Sequence, residues 1–184
     1  GAGLGGGSSN AAATLWGLNN LLGGPLGPEA LSGLAATLGS DCPLFLEGGA
    51  VSVSGRGEVV EPLSDSVRKQ LEGRGVLLLL PRLHVSTLWA YGRFLDVGEA
   101  FDSLVDSKDR IYSFLSGETP LEDCLHNNFE PVVFPKFVGL HAVKAMAQAA
   151  DCGPVPLCGS GSTLFILLPE AGLVPVAETG LFHE

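Results

Sequence analysis

Residues 1–15 read GAGLGGGSSNAAATL, and this stretch decides how the rest of the chain is interpreted. Five of its first seven residues are glycine. Ser8, Ser9 and Asn10 follow, and each is a residue type that caps helices. Apolar residues then recur at helical spacing (Ala11, Leu15, Leu18 and Leu22). The stretch therefore predicts a glycine-rich loop that leads directly into a helix beginning at Ser8 or Ser9.

Such a loop has the properties of a phosphate cradle. Glycines allow positive φ angles and let backbone N–H groups approach an anion closely. The helix that follows directs its free amides and the positive end of its dipole towards the same point. A flexible linker would not lead straight into an alanine-rich amphipathic helix. The predicted phosphate-binding residues are Gly1, Ala2, Gly3, Leu4, Gly5, Gly6, Gly7, Ser8 and Ser9.

Two better-known phosphate loops fit this stretch less well. Gly1, Gly3 and Gly6 satisfy the spacing GxGxxG, but a dinucleotide site also needs a preceding strand and an acidic residue at a strand end about twenty residues on. Glu29 instead falls at a predicted helix start. The P-loop pattern ends in Gly-Lys-Ser/Thr, and residues 1–15 contain no lysine.

The composition indicates a globular protein that is not a general nucleic-acid binder. Hydrophobic residues make up 46% of the 184 residues and charged residues 16%. Twenty acidic and ten basic side chains give a net charge of −10, which disfavours binding to a phosphate backbone but not to a single nucleotide. The four cysteines lack CxxC spacing, and the scattered histidines form no metal motif, so we predict reduced thiols and no protein-held metal.

The rest of the chain predicts an α+β architecture. A second helix fits residues 28–38, and alternation around Gly55 and Gly57 indicates a hairpin. The run Val76 to Leu80 predicts a strand buried on both faces and is far too short to cross a membrane. The pattern is mostly helical over residues 86–150. Residues 154–169 then predict a strand, a tight glycine turn and a second strand.

Four ordered stretches carry a resemblance to the GHMP kinases, the superfamily of galactokinase, homoserine kinase and mevalonate kinase. GLGGGSSNAA (3–12) resembles the second signature motif, and its SSNAA is similar to the diphosphocytidyl-methylerythritol kinases. LGSDCPLFLEGGAVSVSGRGE (38–58) and LLPRLHVSTLWAY (79–91) resemble two further family segments. LCGSGSTLFILL (157–168) resembles the third motif, a glycine turn between strands.

This resemblance implies a two-domain GHMP kinase fold. Residues 1–74 would form an incomplete ribosomal-protein-S5-like amino-terminal domain, and residues 75–184 a ferredoxin-like carboxyl-terminal domain. The implied activity is ATP-dependent phosphorylation of a hydroxyl of 4-diphosphocytidyl-2-C-methyl-D-erythritol, in isoprenoid precursor biosynthesis by the non-mevalonate pathway. The implied cofactor is ATP with Mg²⁺, in which the metal accompanies the nucleotide.

Asp41 is the predicted catalytic residue. Phosphoryl transfer to an alcohol needs a group that orients the hydroxyl or accepts its proton. The resemblance assigns that role, and contact with the substrate, to Asp41. From spacing alone, Asp41 and Ser40 could equally cap a turn before Pro43.

Three further segments receive roles from the resemblance. Gly159, Ser160 and Gly161 would pack beneath the phosphate loop, a role compatible with a plain β-turn. Thr87 and Tyr91 would lie at the cytidine end of the substrate, where the Tyr91 ring could stack. Tyr91 could also be an ordinary residue of an amphipathic helix.

The family pairs its aspartate with a lysine from an early strand, and the lysines of this chain lie in other segments. We therefore expect an amino-terminally truncated chain. The alternatives are another GHMP small-molecule kinase and a catalytically incompetent nucleotide-binding fragment. We expect a monomer or homodimer in a bacterial cytoplasm or plastid stroma, with a small-molecule substrate and neither nucleic-acid nor membrane partners.

Overall fold

The computed structural model of the chain describes residues 2–96 and 102–168. These residues form helices and short antiparallel strand pairs, so the predicted α+β class is confirmed. The helices are α1 (Gly6–Leu21), α2 (Pro28–Leu38), α3 (Leu44–Glu47), α4 (Asp65–Leu71), α5 (Thr87–Asp96), α6 (Asp102–Leu115), α7 (Leu121–Cys124), α8 (Glu130–Val133) and α9 (Val138–Ala149). The strands are β1 (Val51–Ser54), β2 (Val59–Pro62), β3 (Val76–Leu79) and β4 (Leu164–Leu167).

The amino-terminal end of α1 differs from the prediction that the helix begins at Ser8 or Ser9. The N-cap is Gly5, whose φ of 65° lies in the left-handed region. Its carbonyl accepts the N–H of Ser9 at 2.9 Å, so Ser9 already lies inside the first turn. The Ser9 hydroxyl donates to the Gly6 carbonyl at 3.0 Å and caps nothing. The prediction of a serine cap was wrong because a left-handed glycine starts the helix earlier.

Helices α1 and α2 pack through small residues, with Ala12 and Ala35 almost fully buried. The predicted second helix is confirmed with its terminating residues, Pro28 and Gly39. Asn19 closes the connection between the two helices. Its carboxamide donates to the Leu26 carbonyl and accepts the Leu26 N–H, both at 3.0 Å.

The predicted hairpin is confirmed as β1 paired antiparallel with β2, from Val51 opposite Pro62 to Ser54 opposite Val59. Its turn contains Gly55 and Gly57, both at positive φ. This hairpin follows α3 directly and contacts it. The turn is thereby placed beside the segment that carries Asp41.

Strand β3 pairs antiparallel with β4, with Leu79 opposite Leu164. The prediction that β3 is buried on both faces was wrong. Val76 and Leu78 are 54% and 41% exposed, whereas Leu77 and Leu79 pack against the main core. In the described residues this sheet has two strands, and on its second face Leu167, opposite Val76, packs against the cluster of Val67, Phe114 and Leu121, while Val76 and Leu78 themselves stay partly exposed. The strand predicted before the glycine turn is reduced to a single bridge between Leu157 and Leu164.

The main core lies beneath β3, β4, α5 and α9. Its fully buried members include Val85, Ala90, Leu140, Leu157 and Leu164. Because Leu157 and Leu164 flank the segment 158–163, the glycine turn there is anchored in this core at both ends.

A second buried cluster joins Val67 of α4 to Phe114 and Leu121. Arg74 binds Glu122 beside it and donates to the Leu168 carbonyl at 3.3 Å. The domain division after residue 74 stays a prediction. Among the described residues no helix combines the length and the apolar character that crossing a membrane requires.

Candidate active site

The site is built where two glycine segments meet without side chains between them. A β-carbon on Gly3 would collide with the Cys158 carbonyl oxygen. A β-carbon on Gly159 would lie 3.2 Å from the Gly3 carbonyl oxygen. Thr163 donates its N–H to the Ala2 carbonyl at 3.2 Å, which ties the two segments together. The loop at residues 2–5 and the turn at residues 159–161 are therefore interlocked through their backbones.

Helix α1 begins directly after this interlocked loop. Gly5 has no side-chain cap, and the first intrahelical bond is made by Ser9. The N–H groups of residues 5–8 therefore precede the first intrahelical bond, as expected at a helix start. Phe45 of α3 closes one side, since its ring lies 2.6 Å from the position of a β-carbon on Gly5. Gly6 and Gly7 face open space.

Helix α5 is joined to the glycine turn through a pair of hydroxyls. The Thr87 and Ser160 hydroxyls lie 3.2 Å apart and share a hydrogen bond. Ser162 donates to the Leu83 carbonyl at 2.6 Å and fixes the approach to α5. Thr87 is the first residue of α5, so Tyr91 follows it one turn later on the same side of the helix.

Tyr91 lies at an aromatic cluster and is influenced by the charge of Asp41. Its ring packs edge-on against Phe129, with centroids 4.8 Å apart, and Phe129 also contacts Phe94 at 5.3 Å. Partial burial raises the pKa of the Tyr91 phenol, and the negative charge of Asp41 raises it further. The second contribution indicates that Asp41 lies within electrostatic range of Tyr91.

Asp41 projects from the segment between α2 and α3. Its side chain is exposed, whereas the next residue, Cys42, is 2% exposed and anchors the segment. The Ser40 hydroxyl lies 3.4 Å from an Asp41 carboxylate oxygen. The hairpin turn packs against the same segment, because a β-carbon on Gly57 would lie 2.9 Å from the Ser40 carbonyl and 3.3 Å from the Asp41 carboxylate.

The structure thus brings the predicted segments into one region. The Gly3 loop contacts the Gly159 turn, Ser160 contacts Thr87, and Asp41 lies within electrostatic range of Tyr91. Gly1, the first residue of the predicted phosphate loop, lies outside the described residues.

Sequence reasoning missed Phe45, Gly57, Phe129 and Asn127 as neighbours of this site; Asn127 reaches it by donating to the Gly159 carbonyl at 2.8 Å. Gly57 carried a signal, since a glycine at a hairpin turn permits close backbone approach. The contacts of the other three residues join parts of the chain that are distant in sequence, so no local sequence pattern could have predicted them.

Cys158, in the glycine turn, is not suited to nucleophilic chemistry. Burial raises the pKa of its thiol, so the protonated form is favoured at neutral pH. Within the residues that the structure describes, no group of three or more His, Cys, Asp or Glu side chains is arranged to hold a metal ion.

Comparison with known proteins gives consistent matches. The family described as GHMP kinases N terminal domain matches residues 1–49. The 4-diphosphocytidyl-2-C-methyl-D-erythritol kinase of Synechococcus sp. (strain JA-2-3B'a(2-13)) is 39% identical over 193 residues, covering 100% of this chain and 60% of that protein. The protein of the same name from Nitratidesulfovibrio vulgaris (strain DP4) is 37% identical, covering 91% of this chain and 57% of that protein.

A crystal structure of 4-(cytidine 5'-diphospho)-2C-methyl-D-erythritol kinase aligns with a TM-score of 0.64 at 32% identity. The alignment covers 91% of this chain and 57% of that structure. The chain therefore spans about three fifths of the length of the relatives it matches. The sequence motifs, the fold and these alignments agree: residues 1–49 match the GHMP kinases N terminal domain, and the chain as a whole is similar to kinases of that superfamily.

Proposed function

We propose that this site binds ATP and that the protein transfers the γ-phosphoryl group to a hydroxyl of 4-diphosphocytidyl-2-C-methyl-D-erythritol, a step in isoprenoid precursor biosynthesis. The observation that carries the proposal is the backbone interlock of Gly3 with Cys158 and Gly159 at the uncapped start of α1. It leaves main-chain amides in place of side chains where a polyphosphate would sit. The names of the aligned relatives support the choice of alcohol.

The phosphate end of the site would be formed by residues 1–9. The amides at the start of α1 and the helix dipole both favour negative charge at that point. The turn at residues 159–161 would brace the loop from beneath. Because the donors are preorganised backbone groups, they can stabilise charge on the transferring group without reorganisation.

Asp41 would act on the attacking hydroxyl. Its exposed carboxylate can accept a hydrogen bond from an alcohol and orient it for in-line attack on the γ-phosphorus. The hydroxyl oxygen would form a bond to phosphorus as the bond to the β-phosphate oxygen of ATP breaks, leaving ADP. The hydroxyl proton would pass to Asp41 or to solvent. The transfer is direct and forms no covalent intermediate with the enzyme.

The cytidine end of the alcohol would lie along α5. Thr87 offers a hydroxyl within reach of the glycine turn, and Tyr91 offers a ring whose far edge is held by Phe129. A half-exposed aromatic ring one helical turn from the Thr87 hydroxyl suits stacking by a pyrimidine base. Mg²⁺ would enter with the nucleotide and neutralise charge on its phosphate oxygens.

The bacterial sources of the aligned relatives support a bacterial cytoplasm as the location, with a plastid stroma as the alternative. The partner expected in either place is a small molecule. The protein would work as a monomer or a homodimer.

Two measurements test the function. Calorimetry with MgATP measures nucleotide binding, and ADP release measures turnover with 4-diphosphocytidyl-2-C-methyl-D-erythritol and with a panel of other alcohols. Asp41→Asn should keep ATP binding and lose at least a hundredfold in turnover, within the range expected for loss of a general base. Asp65→Asn is the matched control, since the Asp65 side chain is 89% exposed on α4.

The outcomes separate the competing functions. Turnover with 4-diphosphocytidyl-2-C-methyl-D-erythritol that depends on Asp41 supports the proposal. Turnover with a different alcohol alone indicates another GHMP small-molecule kinase. Binding of ATP without turnover of any alcohol indicates a nucleotide-binding protein, and absence of ATP binding contradicts the phosphate site itself.

A further inference from the structure

Asn127 lies in the connection between α7 and α8 and uses both ends of its carboxamide. The nitrogen donates to the Leu157 carbonyl at 2.6 Å and to the Gly159 carbonyl at 2.8 Å. The oxygen accepts the N–H of Phe129 at 2.8 Å. This network fixes the orientation of the amide, because the reverse orientation would oppose an oxygen to two carbonyl oxygens.

The nitrogen end of Asn127 fixes the orientation of the peptide plane between Gly159 and Ser160. A trans peptide unit carries its C=O and N–H on opposite sides. Holding the Gly159 carbonyl towards Asn127 therefore turns the Ser160 N–H to the opposite side. Since Gly159 packs against Gly3, the same bond also positions the turn beneath the phosphate loop.

The oxygen end of Asn127 sets the start of α8. Phe129, whose N–H it accepts, is the residue that supports the ring of Tyr91 at 4.8 Å. A shift of the Phe129 backbone would move this ring and release the edge contact.

Glu130 reinforces the same connection. Its carboxylate accepts the Leu157 N–H at 3.0 Å and pairs with Lys144 at 2.5 Å. The N–H of Leu157 is thus bound by Glu130 and its carbonyl by Asn127. The segment entering the glycine turn is therefore held at Leu157 by side chains from residues 127–130.

We propose that Asn127 is a positioning residue that couples the two ends of the site. One carboxamide fixes the positions of both the Gly159–Gly161 turn and the Phe129–Tyr91 aromatic pair. The phosphate end and the base end of the bound reactants are thereby held at a fixed separation. This role rests on the proposed kinase function, but the coupling itself is a property of the ligand-free chain.

The test replaces Asn127 by Asp, which keeps the shape and removes the donors. An ionised carboxylate at this position would face the carbonyls of Leu157 and Gly159 and repel both. Once protonated, the carboxyl regains one O–H donor and can restore one bond. We therefore expect the changes caused by Asn127→Asp to be partly reversed as the pH is lowered.

Asn19→Asp is the matched control. Asn19 makes an equivalent carboxamide clamp on Leu26, and it lies thirteen residues beyond the start of α1, about 20 Å along the helix. A loss of stability common to any broken clamp would appear in both variants. A positioning effect would appear only at Asn127.

The readouts are amide shifts of residues 159–161, ring-proton shifts of Tyr91, and the dissociation constant of MgATP. We expect Asn127→Asp to move both sets of resonances at neutral pH, to weaken MgATP binding about tenfold, and to recover partly in acid. Asn19→Asp should leave all three unchanged. Asn127→Ala adds no charge, so it should move both sets of resonances without pH dependence. This variant replaces Asn127→Asp in the test if the Asp variant does not fold.

The proposal is overturned if Asn127→Asp, or the Ala variant in its place, moves only one set of resonances or neither. It is also overturned if Asn19→Asp moves them equally. Absence of MgATP binding in the unmodified chain contradicts the proposed function, while the resonances still decide whether Asn127 couples the two regions.

Discussion

Substitution of Gly3 by Ala tests the backbone interlock most directly. Gly3 has a φ of 75°, and an added β-carbon would collide with the Cys158 carbonyl oxygen. The left-handed conformation costs an L-residue roughly 1–2 kcal/mol. Overpacking against a rigid backbone adds about 1–3 kcal/mol. We therefore expect a loss of about 3 kcal/mol in the free energy of unfolding, or a fall of roughly 6–12 °C in Tm.

Part of this strain can be relieved if the loop moves away from the turn at residues 159–161. That movement would displace the amides at the start of α1, so we expect MgATP to bind at least tenfold more weakly. Thermal unfolding measures the first effect, and calorimetric titration with MgATP measures the second.

Gly17→Ala is the matched control for Gly3→Ala, since Gly17 lies within α1 and a β-carbon there would meet nothing within 4 Å. Removing a glycine from a helix interior should stabilise the chain by about 0.5–1 kcal/mol and leave MgATP affinity unchanged. The reasoning fails if Gly3→Ala leaves both Tm and affinity within error of the unmodified chain. It also fails if Gly17→Ala weakens binding equally.

Three further substitutions should act at defined points. Gly57→Ala should lower turnover more than MgATP affinity, because its β-carbon would press on the Asp41 segment; equal loss of both would contradict this. Glu130→Gln should cost roughly 2–4 kcal/mol in urea unfolding, because it leaves Lys144 unpaired and mostly buried, and an unchanged transition would refute it. The hydrogen bond from Arg74 lowers the pKa of the Glu122 carboxyl below its ordinary value of 4.5. The stabilisation that this pair gives the fold is therefore present above pH 4.5 and is lost as the pH falls through the lowered pKa. Glu122→Gln should therefore flatten the acid dependence of stability, and equal acid sensitivity would exclude this contribution.

Local signals in the sequence correctly predicted the elements that are bounded by proline or glycine. Helix α2 begins at Pro28 and ends before Gly39, as expected from a proline in the first turn and a glycine terminator. The hairpin at Gly55 and Gly57 formed for a similar reason, since both glycines adopt positive φ. In each case the deciding interaction is local, so composition within a few residues is sufficient.

Predictions failed where several local conformations were equally open to the chain, or where tertiary packing decided the outcome. The serine caps expected for α1 were pre-empted by Gly5, because a glycine can turn the chain at positive φ and any of the neighbouring glycines could have done so. The expected burial of β3 required further layers of structure, which an aliphatic run alone cannot reveal. Val76 and Leu78 are therefore exposed despite their apolar character.

The two ends of the site differ in how the sequence specifies them. At the phosphate end, Gly3 and Gly159 act through the absence of side chains, so most substitutions would force the two backbone segments apart. At the other end, Tyr91 and Phe129 act through their rings, and such contacts can change by one side chain at a time. Selection for a different alcohol could therefore alter the aromatic end while the phosphate end stays intact. Because Asn127 is bonded to both ends, it limits how far one can move without the other.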